Sequence, residues 1–172
     1  QKFKPKRILD ISAGWGDRLI GAMSQDIDYI GIDSNKKLKT PYNRMIKDYQ
    51  GKSNSNIMML FNKSEKIDYS KLPHYDLIFT SPPYFSLEKY EGMTKYEDNN
   101  DFKDSYFIPT IKNSWKYLKK GGVMALNMPE EMYKILIPLL GKASKIAMPI
   151  QNRFAYKKDG AKKHENIYWW RK

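Results

Sequence analysis

The residues of this chain best suited to chemistry form the run F-T-S-P-P-Y-F at positions 79 to 85. Ser81 supplies a hydroxyl, Pro82 a carbonyl without a neighbouring mobile φ, Pro83 a second rigid link and Tyr84 a flat aromatic face. A hydroxyl and a carbonyl are both acceptors, and proline fixes the backbone that carries them. Such a turn can accept hydrogen bonds from an amino group while an aromatic ring stacks on the plane that bears it. This chemistry needs neither a metal nor a covalent intermediate. Two prolines leaving a strand also make a rigid turn for purely structural reasons, but that reading does not explain the small polar residue before them or the aromatic after them.

A second constellation lies upstream, in L-D-I-S-A-G-W-G-D-R at positions 9 to 18. Asp10 closes an apolar strand, and Gly14 and Gly16 follow in a turn entering a helix. Glycines there let a backbone approach a ligand closely. Asp33 ends the next strand, where an acid can accept bonds from the two hydroxyls of a ribose. A nicotinamide enzyme would show the same acid, but Leu19 stands where a dinucleotide fingerprint needs its third glycine.

These motifs require elements to hold them. The chain reads as alternating strands and helices: strands at 6–11, 28–33, 56–61, 75–80 and 123–128, with helices at 17–25, 40–49, 102–118 and 129–140. That alternation predicts a parallel sheet covered on both faces. Residues 81–100 lack apolar period and read as a long functional loop. Lys119, Lys120, Gly121 and Gly122 read as the stop after the third helix. The tail predicts two further strands, 144–150 and 166–171, joined by a basic loop. Trp169 and Trp170, being adjacent in a strand, should face opposite sides of it. At 172 residues one domain spanning 1–172 is expected, beginning at Gln1 with residues possible upstream and no separate target-recognition domain evident.

Composition narrows the chemistry. The chain has no cysteine, which removes disulfides, thiolate metal sites and the thiolate route to carbon-5 methylation of cytosine. His74 and His164 are too few for a histidine metal centre, so no metal is expected. No apolar run is long enough for a membrane span, and a soluble intracellular protein of the cytoplasm or nucleoid is expected. The net charge is +12, of which +7 falls from Gly141 onward, as suits a polyanionic partner.

The acid-hydrophobic-x-x-G-x-G run beginning at Asp10 resembles the first motif of class I S-adenosylmethionine-dependent methyltransferases, and the strand order follows it along nearly the whole chain. S-P-P-Y-F-S-L-E-K-Y resembles the signature of the N4-cytosine and N6-adenine DNA amino-methyltransferases. The resemblance implies a Rossmann-like α/β fold, mostly a parallel seven-stranded sheet with helices on both faces and a C-terminal antiparallel hairpin. It implies S-adenosylmethionine as cofactor, with Asp10 and the Ser12-Ala13-Gly14-Trp15-Gly16 backbone at its methionine part and Asp33 at its ribose. The family's adenine-contacting acid has no match at Asn62-Lys63-Ser64, so Ser64 is the nearest candidate, with Glu65 behind it.

In the same reading Ser81, Pro82, Pro83 and Tyr84 form the catalytic turn, and Tyr84 stacks a base extruded from the duplex or already unpaired. Phe85 suits either stacking or the core. Serine in the first position leans towards cytosine, with adenine open. DNA is favoured over RNA as the nucleic-acid partner. An RNA amino-methyltransferase, a protein or small-molecule methyltransferase and a non-catalytic nucleic-acid-binding subunit are the alternatives. Only the loop 86–100 and the basic stretch 152–163 are placed to read a target, so a partner subunit or missing segment for recognition is expected. Glu88, Glu91, Glu97, Asp98 and Asp101 make that loop acidic, which suits a lid better than a phosphate contact.

Overall fold

The computed structural model describes residues 2–85, 89–147 and 166–172. Seven strands form one sheet: β1 (Arg7–Asp10), β2 (Asp28–Asp33), β3 (Ile57–Phe61), β4 (Tyr75–Thr80), β5 (Leu118–Met128), β6 (Ser144–Ala147) and β7 (Asn166–Arg171). Their spatial order is β3-β2-β1-β4-β5-β7-β6. The first five are mutually parallel, and β7 runs antiparallel to both β5 and β6. The mostly parallel sheet and its C-terminal antiparallel pair are those expected from the sequence. Residues 148–150 and the basic stretch 152–163 lie outside the described residues.

Side-chain alternation along the strands sorts the core into two layers. Leu9, Ile30, Ile78, Met124, Leu126 and Trp170 face one side, where they meet Phe102, Phe107, Ile111, Met132 and Leu136. Ile8, Tyr29, Leu77, Val123 and Ala125 face the other, against Leu19, Ala22, Met23 and Tyr42. The first layer is covered by α3 (Asn99–Phe102), α4 (Ile108–Tyr117) and α5 (Glu130–Leu140), and the second by α1 (Asp17–Met23) and α2 (Lys39–Gln50). The paired tryptophans do part to opposite faces. Trp170 enters the first layer, while Trp169 packs edge-on against Phe3 at 5.2 Å with Lys2 over its ring.

Two features differ from the sequence reading. The third helix starts earlier, at Asn99, where Asp98 caps it by accepting from the backbone N–H of Asn100 and Asp101. It then passes through a π turn at Lys103–Phe107 before α4. Pro109 lies just beyond, and its missing N–H and bulky ring cannot continue an ordinary helical ladder, which accounts for the wider turn. The second difference concerns Lys119 to Gly122, which lie within β5 and do not stand between helix and strand. Leu118 pairs with Tyr75 and Val123 with Leu77, so these four residues bulge opposite Asp76. The bulge needs glycine: a Cβ on Gly122 would stand 2.9 Å from the Asp76 carbonyl oxygen, and Gly121 has φ of 77°. The Lys172 ammonium then caps α4 by donating to the carbonyls of Trp115, Lys116 and Leu118.

Candidate active site

Strand order reverses between β1 and β4, and open parallel sheets bind ligands outside the carboxyl ends of strands at such a point. A cavity of about 550 Å³ opens there, lined by residues following β1, β2, β3 and β4. Ser12, Ala13, Gly14, Trp15, Asp33, Ser64, Ser81 and Pro83 all line it. Asp10, Gly16, Pro82 and Tyr84 are not among the lining residues. The two motifs, about 65 positions apart in sequence, thus meet in one cavity.

The turn after β1 is held from several directions. Asp33 accepts the Gly14 N–H on one carboxylate oxygen and the Asn35 N–H on the other, each at 2.8 Å. Burial raises the Asp33 pKa from its ordinary value, against the pull of these two bonds. Tyr42 of α2 donates its hydroxyl to the Gly14 carbonyl at 2.9 Å. Gly14 and Gly16 have φ of 61° and 96°, a left-handed conformation that favours glycine. Gly16 serves packing: a Cβ there would meet the Met45 sulfur at 2.8 Å.

Asp10 lies beneath this floor. Its side chain is fully buried and accepts from Arg18 Nε at 2.6 Å, the Tyr29 hydroxyl at 2.7 Å, the Thr80 hydroxyl at 2.7 Å and the Ser12 N–H at 3.2 Å. Its carboxylate therefore holds together the turn after β1, the start of α1 and the end of β4. Four donors satisfy it, and a buried carboxylate needs such partners. The network continues upward. Ser12 Oγ lies 2.6 Å from Thr80 Oγ1 and donates to the Ser81 carbonyl at 2.8 Å. A chain of polar contacts thus joins the first motif to S-P-P-Y.

Ser81 Oγ and Tyr84 Oη are 3.4 Å apart, too long for a strong bond. Pro82 is buried. Phe85 adopts φ of 57°, a costly conformation for a non-glycine residue that concentrates at functional sites. Its ring lies 6.1 Å from Phe102, which places it against the core.

Part of the loop that the sequence offered as a lid crosses the cavity as a strap. Lys89, Tyr90, Glu91, Met93, Thr94 and Tyr96 line it. The strap is tied to β2's end by the Lys37–Glu91 ion pair at 3.0 Å and by Ser34 Oγ donating to the Glu91 carbonyl at 3.2 Å. Gly92, with φ of 78°, passes so close that a Cβ would stand 2.2 Å from the Ser34 carbonyl oxygen. At β3's end Lys63 Nζ donates to Thr94, whose hydroxyl donates to Glu65. Burial pushes the Tyr96 hydroxyl up to about 12. Ser64 gives its hydroxyl hydrogen to the Ile11 carbonyl, so towards the cavity it can only accept. Sequence reading missed Arg18 and Thr80: their partners lie 8 and 70 residues away.

A family model described as DNA methylase matches residues 75–172. No curated protein matches the chain. Among solved structures, TrmN from Thermus thermophilus aligns at 15% identity over 97% of this chain and 44% of its own, with a TM-score of 0.64. The present chain thus spans less than half the length of that protein. The N-methyltransferase NodS from Bradyrhizobium japonicum aligns at 14% identity over 99% of this chain and 87% of its own, TM-score 0.63. A putative methyltransferase from Streptococcus mutans, solved in complex with S-adenosylhomocysteine, aligns at 10% identity over 98% and 90%, TM-score 0.62.

Proposed function

The chain belongs to the N6/N4 DNA methylase family, and on that premise we propose that it methylates the exocyclic amino group of a nucleic-acid base, in DNA rather than RNA. It is an S-adenosylmethionine-dependent methyltransferase of the class I fold. The observation that carries the finer reading is the meeting of Ser81 and Pro83 with Asp33 and the Ser12–Trp15 turn around one cavity.

The residues fit the cofactor. The cavity's volume lies within the roughly 300–1,000 Å³ usual for small-ligand sites. Each Asp33 oxygen receives one backbone N–H, leaving acceptor capacity on both for the two ribose hydroxyls. The Ser12–Trp15 turn forms the wall beside it, and Ser64 closes the β3 side as an acceptor. S-adenosylmethionine supplies, when bound, a methyl group activated on a sulfonium.

The chain's own part is to make an amine nucleophilic. An exocyclic amine shares its lone pair with the ring and attacks poorly. The Ser81 hydroxyl and the Pro82 carbonyl accept its two hydrogens, which favours a pyramidal nitrogen with a localised pair. The prolines, and the Ser12 bond to the Ser81 carbonyl, fix those acceptors before the substrate arrives, so little reorganisation is needed at reaction. Positioning then supplies much of the acceleration. Tyr84 stacks on the base, an interaction worth roughly 1–3 kcal/mol.

The test is nucleoside mass spectrometry after incubation with methyl-labelled S-adenosylmethionine and separate DNA and RNA pools. Labelled N4-methylcytosine or N6-methyladenine in the DNA pool is expected. Label confined to RNA would move the polymer assignment, and no label in either pool, with cofactor bound, would overturn the nucleic-acid reading.

A further inference from the structure

Arg18 has hydrogen-bonding capacity that no described residue takes up. Its side chain is 25% exposed and lines the cavity. A guanidinium carries five N–H donors in a rigid plane. Nε donates to Asp10, and Nη2 directs its two hydrogens to Asp10 and to the Ser12 carbonyl. The two hydrogens of Nη1 have no acceptor among the described residues. Burial works against the charge of Arg18, but Asp10's charge and hydrogen bond outweigh it and raise its pKa.

Matching charges in the cavity to the groups of the cofactor narrows what Nη1 can take. The cofactor offers a neutral adenine, a ribose diol, a sulfonium, an ammonium and a single anion, its α-carboxylate. Among the described residues three cations line the cavity: Arg18, Lys63 and Lys89. Lys63 is bonded to Thr94 of the strap, and Lys89 is exposed on that strap. Arg18 alone lies in the floor, beside the Ser12 carbonyl. A group three-quarters buried there is out of reach of a phosphodiester backbone at the surface but open to a ligand inside. We propose that Arg18 binds the α-carboxylate of the cofactor's methionine part through Nη1, while the buried Asp10 acts through Arg18 without touching the ligand. Asp10 fixes the guanidinium plane by holding Nε and Nη2, so the remaining hydrogens are aimed in advance and less entropy is lost on binding.

The inference rests on the cofactor assignment, and binding measurements separate the two. Calorimetry would compare S-adenosylhomocysteine with its decarboxylated analogue, which keeps the adenosine, thioether and amine and lacks only the carboxylate. The unaltered protein should prefer S-adenosylhomocysteine by about tenfold or more, as a charge-assisted bond implies. Arg18→Lys keeps a cation for Asp10 and loses the planar fork. It should weaken S-adenosylhomocysteine by a similar factor, leave the analogue nearly unchanged and so erase the preference. Arg18→Gln should do the same, with the unfolding midpoint recorded to show that the variant is folded. Lys63→Ala should keep the preference. Equal weakening of both ligands in the Arg18 variants would overturn the proposal and leave Arg18 a purely structural partner of Asp10. An unaltered preference would overturn it as well. If the unaltered protein bound neither ligand, the cofactor assignment itself would fall.

Discussion

The two halves of the cavity are built differently. On the β1–β2 side nearly every polar group is already engaged: Asp33 grips the Gly14 and Asn35 amides, Tyr42 holds the Gly14 carbonyl, and Asp10 gathers four donors. On the β4 side the Ser81 hydroxyl has, among the described residues, the distant Tyr84 hydroxyl, and rigidity comes from prolines and from Ser12 below. The first half suits a ligand of fixed shape, recognised by groups that keep their places. In the proposed mechanism the second offers the Ser81 hydroxyl as an acceptor to a substrate's amino hydrogens. The Asp10–Thr80–Ser12–Ser81 chain is the seam between them, so some substitutions should affect one half and others both.

The largest effect is expected at the seam. Asp10→Ala would leave Arg18 as a mostly buried charge without its partner, and removing one member of such a pair typically costs about 3–5 kcal/mol. A denaturant titration should show this loss, and both cofactor binding and methyl transfer should fall with it. If stability held and only one function were lost, Asp10 would belong to a single half.

Asp33→Ala should act on the cofactor half alone. Hydrogen bonds to a charged group are worth about 1.5–3 kcal/mol each, so S-adenosylhomocysteine affinity should fall by about tenfold or more, with transfer at saturating cofactor largely kept. The same carboxylate predicts a pH dependence. In the proposed role ribose hydroxyls donate to it and so need its ionised form, and burial raises its pKa. Affinity should therefore be full at neutral pH and decline as pH falls through that raised value, before an exposed aspartate near about 3.9 would titrate. Asp33→Asn should flatten this profile.

Smaller effects are expected at the strap. In Gly92→Ala the new Cβ meets the Ser34 carbonyl, and the left-handed φ adds strain of about 1–3 kcal/mol to the closed position. S-adenosylhomocysteine affinity should drop while the unfolding midpoint stays in place, because the strap lifts without the sheet melting. Lys37→Ala removes an exposed ion pair with Glu91 worth under about 1 kcal/mol, and its slight loss of affinity should disappear at high salt.

Much of this was legible in the sequence because it is local. A strand ending in Asp10, glycines four and six residues on, and S-P-P-Y after an apolar run all carry their meaning within ten residues. β2, β4 and β7 run between the expected residues. What stayed hidden depends on contacts across the chain. Nothing near Asp10 says that the Tyr29 and Thr80 hydroxyls will enclose its carboxylate. The strap read as an acidic lid, and its ties to Ser34, Lys37 and Lys63 stayed hidden because they belong to other strand ends. Lys119 to Gly122 have the composition of a helix stop, and only the pairing of Leu118 with Tyr75 draws them into β5. Arg18 did leave a trace, a cation eight residues after an acid across a glycine turn, but that spacing has no periodic meaning by itself.

The division between the two halves is tested most directly at Ser81, by measuring S-adenosylhomocysteine affinity and single-turnover methyl transfer side by side in Ser81→Ala. Removing one preorganised polar contact to a reacting group typically costs about 100-fold or more in rate. A fall of that order in transfer is expected, with affinity unchanged within error. Parallel loss of both, or transfer that persists without the hydroxyl, would contradict the assignment of Ser81 to the amino group.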